Sequence, residues 1–161
     1  MMMAGLATLA VAADDPGGWS KAKWGMTDDE ILKAFDGQVK RFDKVDAYQK
    51  ARVGIESLEV AGVKFKVYMS PGPDDKLEHV LFTPISRDDN DDHTFQALEN
   101  LLVQKYGPPW RSDDDRSETE LQWSFATTII SLTRRTLPHL PGMQVQYFVN
   151  LMYKRRPQNP L

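Results

Sequence analysis

The chain has 161 residues, 41% hydrophobic and 27% charged, a balance that builds one globular unit and excludes both a disordered chain and two domains of ordinary size. Its 20 Lys plus Arg against 23 Asp plus Glu leave a net charge of −3, which excludes the basic platform that a nucleic-acid backbone requires. There is no cysteine, so disulfides, thiolate catalysis, Cys-based zinc and iron–sulfur sites and a lipid-modified cysteine are excluded as well.

The chain opens on the apolar, uncharged run MMMAGLATLAVA and a small-x-small site at Ala10-Val11-Ala12, just before Asp14 and Asp15. This predicts a signal peptide over residues 1–12, without its usual Lys/Arg start, cleaved near Ala12, and hence a periplasmic or secreted protein. No other stretch has the ~18 apolar residues of a membrane-spanning helix, so no integral membrane segment and no lipid anchor is expected. Residues 13–23, polar and containing Gly and Pro, read as a flexible leader.

Thr27-Asp28-Asp29-Glu30 forms a capping box, with Met26 and Ile31 placed for a hydrophobic staple. Ile31, Leu32 and Phe35 make one stripe before Gly37, which predicts a helix over 28–36. The period then changes. Val63, Phe65, Val67 and Met69 alternate with Lys64, Lys66, Tyr68 and Ser70, the pattern of a strand with one buried face. Strands near 52–60 and 77–84 flank it, joined through Ala61-Gly62 and through Pro71 to Asp75. In the first of these the apolar phase slips from Val53 and Ile55 to Leu58 and Val60, predicting a bulge near Ser57.

Asp92 is placed to cap a second helix, in which Phe95, Leu98, Leu101, Leu102 and Tyr106 form the stripe that Gly107-Pro108-Pro109 ends. After an acidic loop at 112–118, three more strands are predicted: one through Leu121, Trp123 and Phe125, one near 128–135, and one near 144–154. In the last, Val145, Tyr147, Val149, Leu151 and Tyr153 alternate over a stretch long enough for a central position. The expected fold is therefore α+β: a single domain over 24–156, built from two helix-plus-three-strand repeats, with an antiparallel sheet carrying its helices on one face. Residues 157–161 are a C-terminal tail.

Trp24-Gly25-Met26-Thr27 with Glu30, and Lys105-Tyr106-Gly107-Pro108 followed by Trp123 and Ile130-x-Leu132, resemble uncharacterised exported bacterial proteins with a WGM-type helix start and a KYGxP helix end. The phrase GMTxxE is also similar to SmpA/OmlA-type accessory proteins of β-barrel assembly and to the β-lactamase-inhibitor-protein-like fold they share. The resemblance spans about residues 24–155 and implies a partner-binding or scaffolding role without a cofactor. It implies no functional residue, and the lipid tether of the SmpA/OmlA type has no cysteine here to carry it.

Catalytic signatures are missing. His79, His93 and His139 lack HExxH or HxH spacing, and neither G-x-S-x-G, a phosphate-binding glycine loop nor a dinucleotide fingerprint occurs. No catalytic residue and no cofactor is expected. Asp88, Asn90 and Asp92 stand at positions 1, 3 and 5 of a calcium loop with Glu99 at position 12, yet His93 replaces the glycine needed at the sharp turn. The run reads better as a helix-capping acidic loop, and no metal site is expected; Asp113, Asp114 and Asp115 read as solvated. Trp123 reads as core and Trp24 as packed on the first helix, while Trp19 and Trp110, in loops, are candidates for stacking on a sugar or peptide.

Strand alternation leaves Tyr68, Ile129, Phe148 and Met152 on the face turned away from the helices, and these are the expected binding residues. The expectation is a periplasmic or secreted protein-interaction module for an envelope protein partner. The alternatives are a hydrolase with a dispersed acidic site and a calcium-dependent binding module.

Overall fold

The computed structural model describes residues 13–115, 117–138 and 140–158. The expected signal peptide with its cleavage near Ala12, and His139, lie outside the described residues. In chain order the elements are β1 (Gly18–Trp19), β2 (Ala22–Lys23), α1 (Asp28–Phe35), β3 (Lys40–Arg41), β4 (Val53–Val60), β5 (Val63–Pro71) and β6 (Leu77–Pro84). A 3-10 turn at Arg87–Asp89 leads to α2 (Asp92–Tyr106), followed by β7 (Arg111–Asp114), β8 (Glu118–Ser124), β9 (Thr128–Thr136) and β10 (Tyr147–Arg155).

The α+β expectation of two helix-plus-three-strand repeats is overturned. Among the described residues the protein is mostly β, with 42% strand against 18% helix, and two helices serve one large antiparallel sheet of eight strands beside a separate two-stranded hairpin. The sheet order is β3-β4-β5-β6-β10-β9-β8-β7, so two four-stranded meanders meet where β10 pairs with β6. The strands that the expectation lacked are the outermost ones. Lys40 and Arg41 pair with Gly54 and Val53, and Arg111–Asp114 pair with Gln122–Thr119; both strands are fully exposed and carry no hydrophobic alternation. Polar edge strands of this kind owe their form to the neighbour's open hydrogen-bonding groups.

Local chemistry explains the rest. Thr27 Oγ1 accepts the amide of Glu30 at 3.3 Å and so caps α1, but Glu30 accepts from the Thr27 hydroxyl and not from its backbone amide, so only the first half of the expected capping box forms. Asp36, in the left-handed region at φ 48°, and Gly37 at φ 93° end α1. The expected bulge in β4 is present, as a register shift between Ile55 and Leu58. α2 is capped by Asp91, whose Oδ1 accepts the Thr94 amide at 2.8 Å, and not by Asp92, which instead pairs with Arg134. β10 lies at the sheet centre, but it begins at Tyr147; Val145 is exposed in the preceding loop.

Residues 13–23, expected as a flexible leader, are docked. Gly18 and Trp19 pair with Lys23 and Ala22, and Ala22 is fully buried. Trp19 stacks on Phe35 at 6.0 Å between ring centroids and meets Phe82 edge-on at 5.1 Å, so it belongs to the core margin and is no free stacking surface. Asp15 fastens the strap to the far meander: its carboxylate accepts from the Thr127 amide and hydroxyl and from the Thr128 hydroxyl at 2.6 to 2.9 Å. The core then lies on one side of the sheet, where Ile31, Phe35, Phe95, Leu98 and Leu102 of the helices meet Val67, Met69, Trp123, Ile130, Leu132 and Leu151. Among the described residues no helix is long and apolar enough to cross a membrane.

Candidate functional site on the open sheet face

Alternation places the partners of these core residues on the opposite face, where no helix packs among the described residues. Register there runs Gly54, Tyr68, Leu81, Met152, Ser131 and Gln122 across six strands. Three of the four expected binding residues come together in this zone. Tyr68 and Met152 flank Leu81, which they help to bury to 4% exposure. Ile129 pairs with Lys154, two residues along β10 from Met152, a diagonal spacing of about 7–8 Å. Phe148 is separate: it pairs with Arg135, four residues from Met152 and so about 13 Å along the strand. It borders a different cleft, of about 620 Å³, with Asn90, Asp91 and Gln144.

Phe42, which alternation does not show, and Lys66, in phase with Tyr68, complete the near end of the patch. Phe42, following β3, lies over Gly54, where any Cβ would fall 2.5 Å from the ring and 2.0 Å from the Val67 carbonyl oxygen. Its ring meets Tyr68 edge-on at 5.8 Å, and Lys66 Nζ sits over both rings at 4.7 and 5.2 Å. The loop beyond Phe42 then folds across the ends of β5 and β6. It encloses a cleft of about 670 Å³ whose lining includes Tyr48, Arg52, Ser70, His79 and Met152.

A second register shift shapes this cleft. Ser70 pairs with His79 but Pro71 pairs with Leu77, so Glu78 is the extra residue and both Glu78 and His79 leave the core side. His79 is pushed below the ordinary histidine range by burial first and by Lys154 second, against the opposing pull of Glu78. Its imidazole is therefore neutral at pH 7. Arg52 donates from Nε to Asp28 at 2.7 Å and from Nη2 to Asp75 at 3.1 Å, tying the cleft wall to α1 and to the β5–β6 turn.

The remaining candidates are occupied with structural work. Asn90 Oδ1 accepts the Val149 amide at 2.9 Å and Asp92 pairs with Arg134, so the two are committed to the sheet and not turned toward a common cation. Among the described residues no three His, Asp or Glu side chains are grouped to hold a metal ion. Trp110 is 71% exposed and stands apart from the open-face patch, beside the edge strand β7. Comparison of the chain with protein-family models, with curated proteins and with solved structures returns no match.

Proposed function

We propose that this protein is an interaction module of the bacterial envelope, periplasmic or secreted, that holds a protein partner on its open sheet face. The observation that carries the reading is the in-register row Tyr68, Leu81 and Met152 with Ile129 beside it, at the centre of an eight-stranded sheet and on the side opposite α1 and α2. Aromatic and thioether side chains on a rigid support, with polar neighbours such as Ser131 and Gln122, have the composition of a protein-binding surface. The apolar segment before Asp14 supports the location.

The test is retention of envelope proteins from a detergent-free extract by the immobilised protein and by its Tyr68→Ser, Met152→Ser variant, alongside thermal melting of both. The module reading expects proteins retained by the parent and lost by the variant, with melting temperatures within a few degrees. Equal retention by both contradicts it.

A further inference from the structure

The cleft beneath the Tyr48 loop contains a hydrogen-bonding group that the fold does not use. Ser70 is 3% exposed, stands in phase with Tyr68 on the open face of β5, and its Oγ is the one buried side-chain polar atom without a partner among the described residues. Buried hydroxyls are nearly always paired, so an orphan facing a cleft marks a place where a partner atom belongs. Directly across the ladder, His79 presents a neutral imidazole with one donor and one acceptor. Tyr48 stands on the rim, 91% exposed, on a loop that Asp46 pins by accepting the amides of Tyr48 and Gln49 at 3.0 and 2.5 Å. Val45, Pro71 and Met152 supply apolar wall, and the lining charges balance in number: Arg52 is engaged by Asp28 and Asp75, and Lys50 and Glu78 carry opposite signs.

We propose that this cleft receives an uncharged aromatic side chain with a hydrogen-bonding group, a phenol or an indole, carried by a short segment of the partner protein. The inference rests on the interaction-module reading and names what that module grips. An exposed ring, a thioether and a proline wall favour an aromatic guest through offset stacking and sulfur–ring contact. The orphan hydroxyl, closed to solvent as the cleft stands, then selects among rings when it rotates about χ1 towards a guest, because a phenol O–H or indole N–H completes Ser70 and a phenyl ring leaves it unpaired. Balanced charge gives no preference for phosphate or carboxylate, and about 670 Å³ accommodates a ring together with its flanking backbone.

The experiment is an NMR titration of the whole protein with N-acetyl-tyrosinamide and N-acetyl-phenylalaninamide, following the Met152 methyl and the His79 ring. The tyrosine probe is expected to shift both signals and to bind about fivefold more tightly than the phenylalanine probe. Ser70→Ala, which removes only the unpaired hydroxyl, is expected to bring the two probes to parity with a melting temperature unchanged or raised. Tyr48→Ala, at an exposed position, is expected to weaken both probes and leave the fold intact. Equal affinities in the parent protein, or no shift of Met152 and His79 up to the solubility limit, overturn the proposal. Envelope proteins retained while neither probe titrates would sink the cleft alone; a probe that titrates where no envelope protein is retained would sink the module reading instead.

Discussion

Asp15 and His79 are two titratable groups whose surroundings decide the response of the fold to acid. Burial alone would push the Asp15 carboxyl up, but hydrogen bonds from the Gly17 amide, from Thr127 and from Thr128 outweigh it and hold the group below the ordinary carboxylate range. The folded state thus favours the ionised form, so this contribution is complete above pH 3.8 and is lost as pH falls through the lower folded value. Asp15→Ala leaves Thr127 and Thr128 without their acceptor and is expected to cost about 2–3 kcal/mol, read as a lower urea midpoint at pH 7. An unchanged midpoint would mean that the strap over 13–23 adds nothing to stability. For His79 the folded value is also depressed, so the unfolded chain takes up the proton first. Stability from this site is complete above pH 6.5 and falls as pH descends through that value towards the folded one. Urea melts between pH 7 and 5 should show this decline, and His79→Gln should flatten it; a parent protein that gains stability over that interval would contradict the burial of His79. Neither role is legible in the sequence, because Thr127 and Thr128 lie more than a hundred positions from Asp15 and His79 owes its setting to strand register.

Helices and strands divide cleanly by how local their causes are. The Thr27 cap, the left-handed Asp36-Gly37 end and the alternation from Val63 to Met69 are interactions between residues a few positions apart, and the sequence shows each of them. Thr27→Ala removes the cap of α1 and is expected to lower stability by about 1 kcal/mol; an unchanged denaturation midpoint would place the helix start elsewhere. Asp91 and Asp92 are equivalent as candidate caps in the run DDNDDH, and the choice between them is made by Arg134, which engages Asp92 from β9 while resting on Phe95 and Tyr147. The strands β1, β2, β3 and β7 were not legible. They are two to four residues long, too short to show a period, and they exist because a partner strand offers its backbone groups. Those additional strands extend both ends of the sheet and add to a strand content that β4, β5, β6, β8, β9 and β10 already make larger than the helical one, so the protein is mostly β.

At the scale of the whole molecule, pairing β10 with β6 joins the two meanders into one sheet, and both helices and the docked strap fall on the same side. One broad face is left to the open side. Alternation alone placed Tyr68, Ile129 and Met152 there, since the side-chain period of a strand is fixed at two. It did not reveal that Phe148 stands apart, nor that Phe42, Tyr48 and His79 join the patch, because these meet only through strand register and a loop that crosses it. The helix side offers a competing surface, an apolar groove of about 430 Å³ with Leu101 and Lys105 at its edge. Hydroxyl-radical footprinting of the protein, free and with its retained envelope partner, compares the two faces in a single measurement. The account predicts that Met152, Tyr68 and Tyr48 lose reactivity on binding while Leu101 and Val103 of α2 do not; protection confined to α2, with Met152 and Tyr68 as reactive as in the free protein, would contradict it.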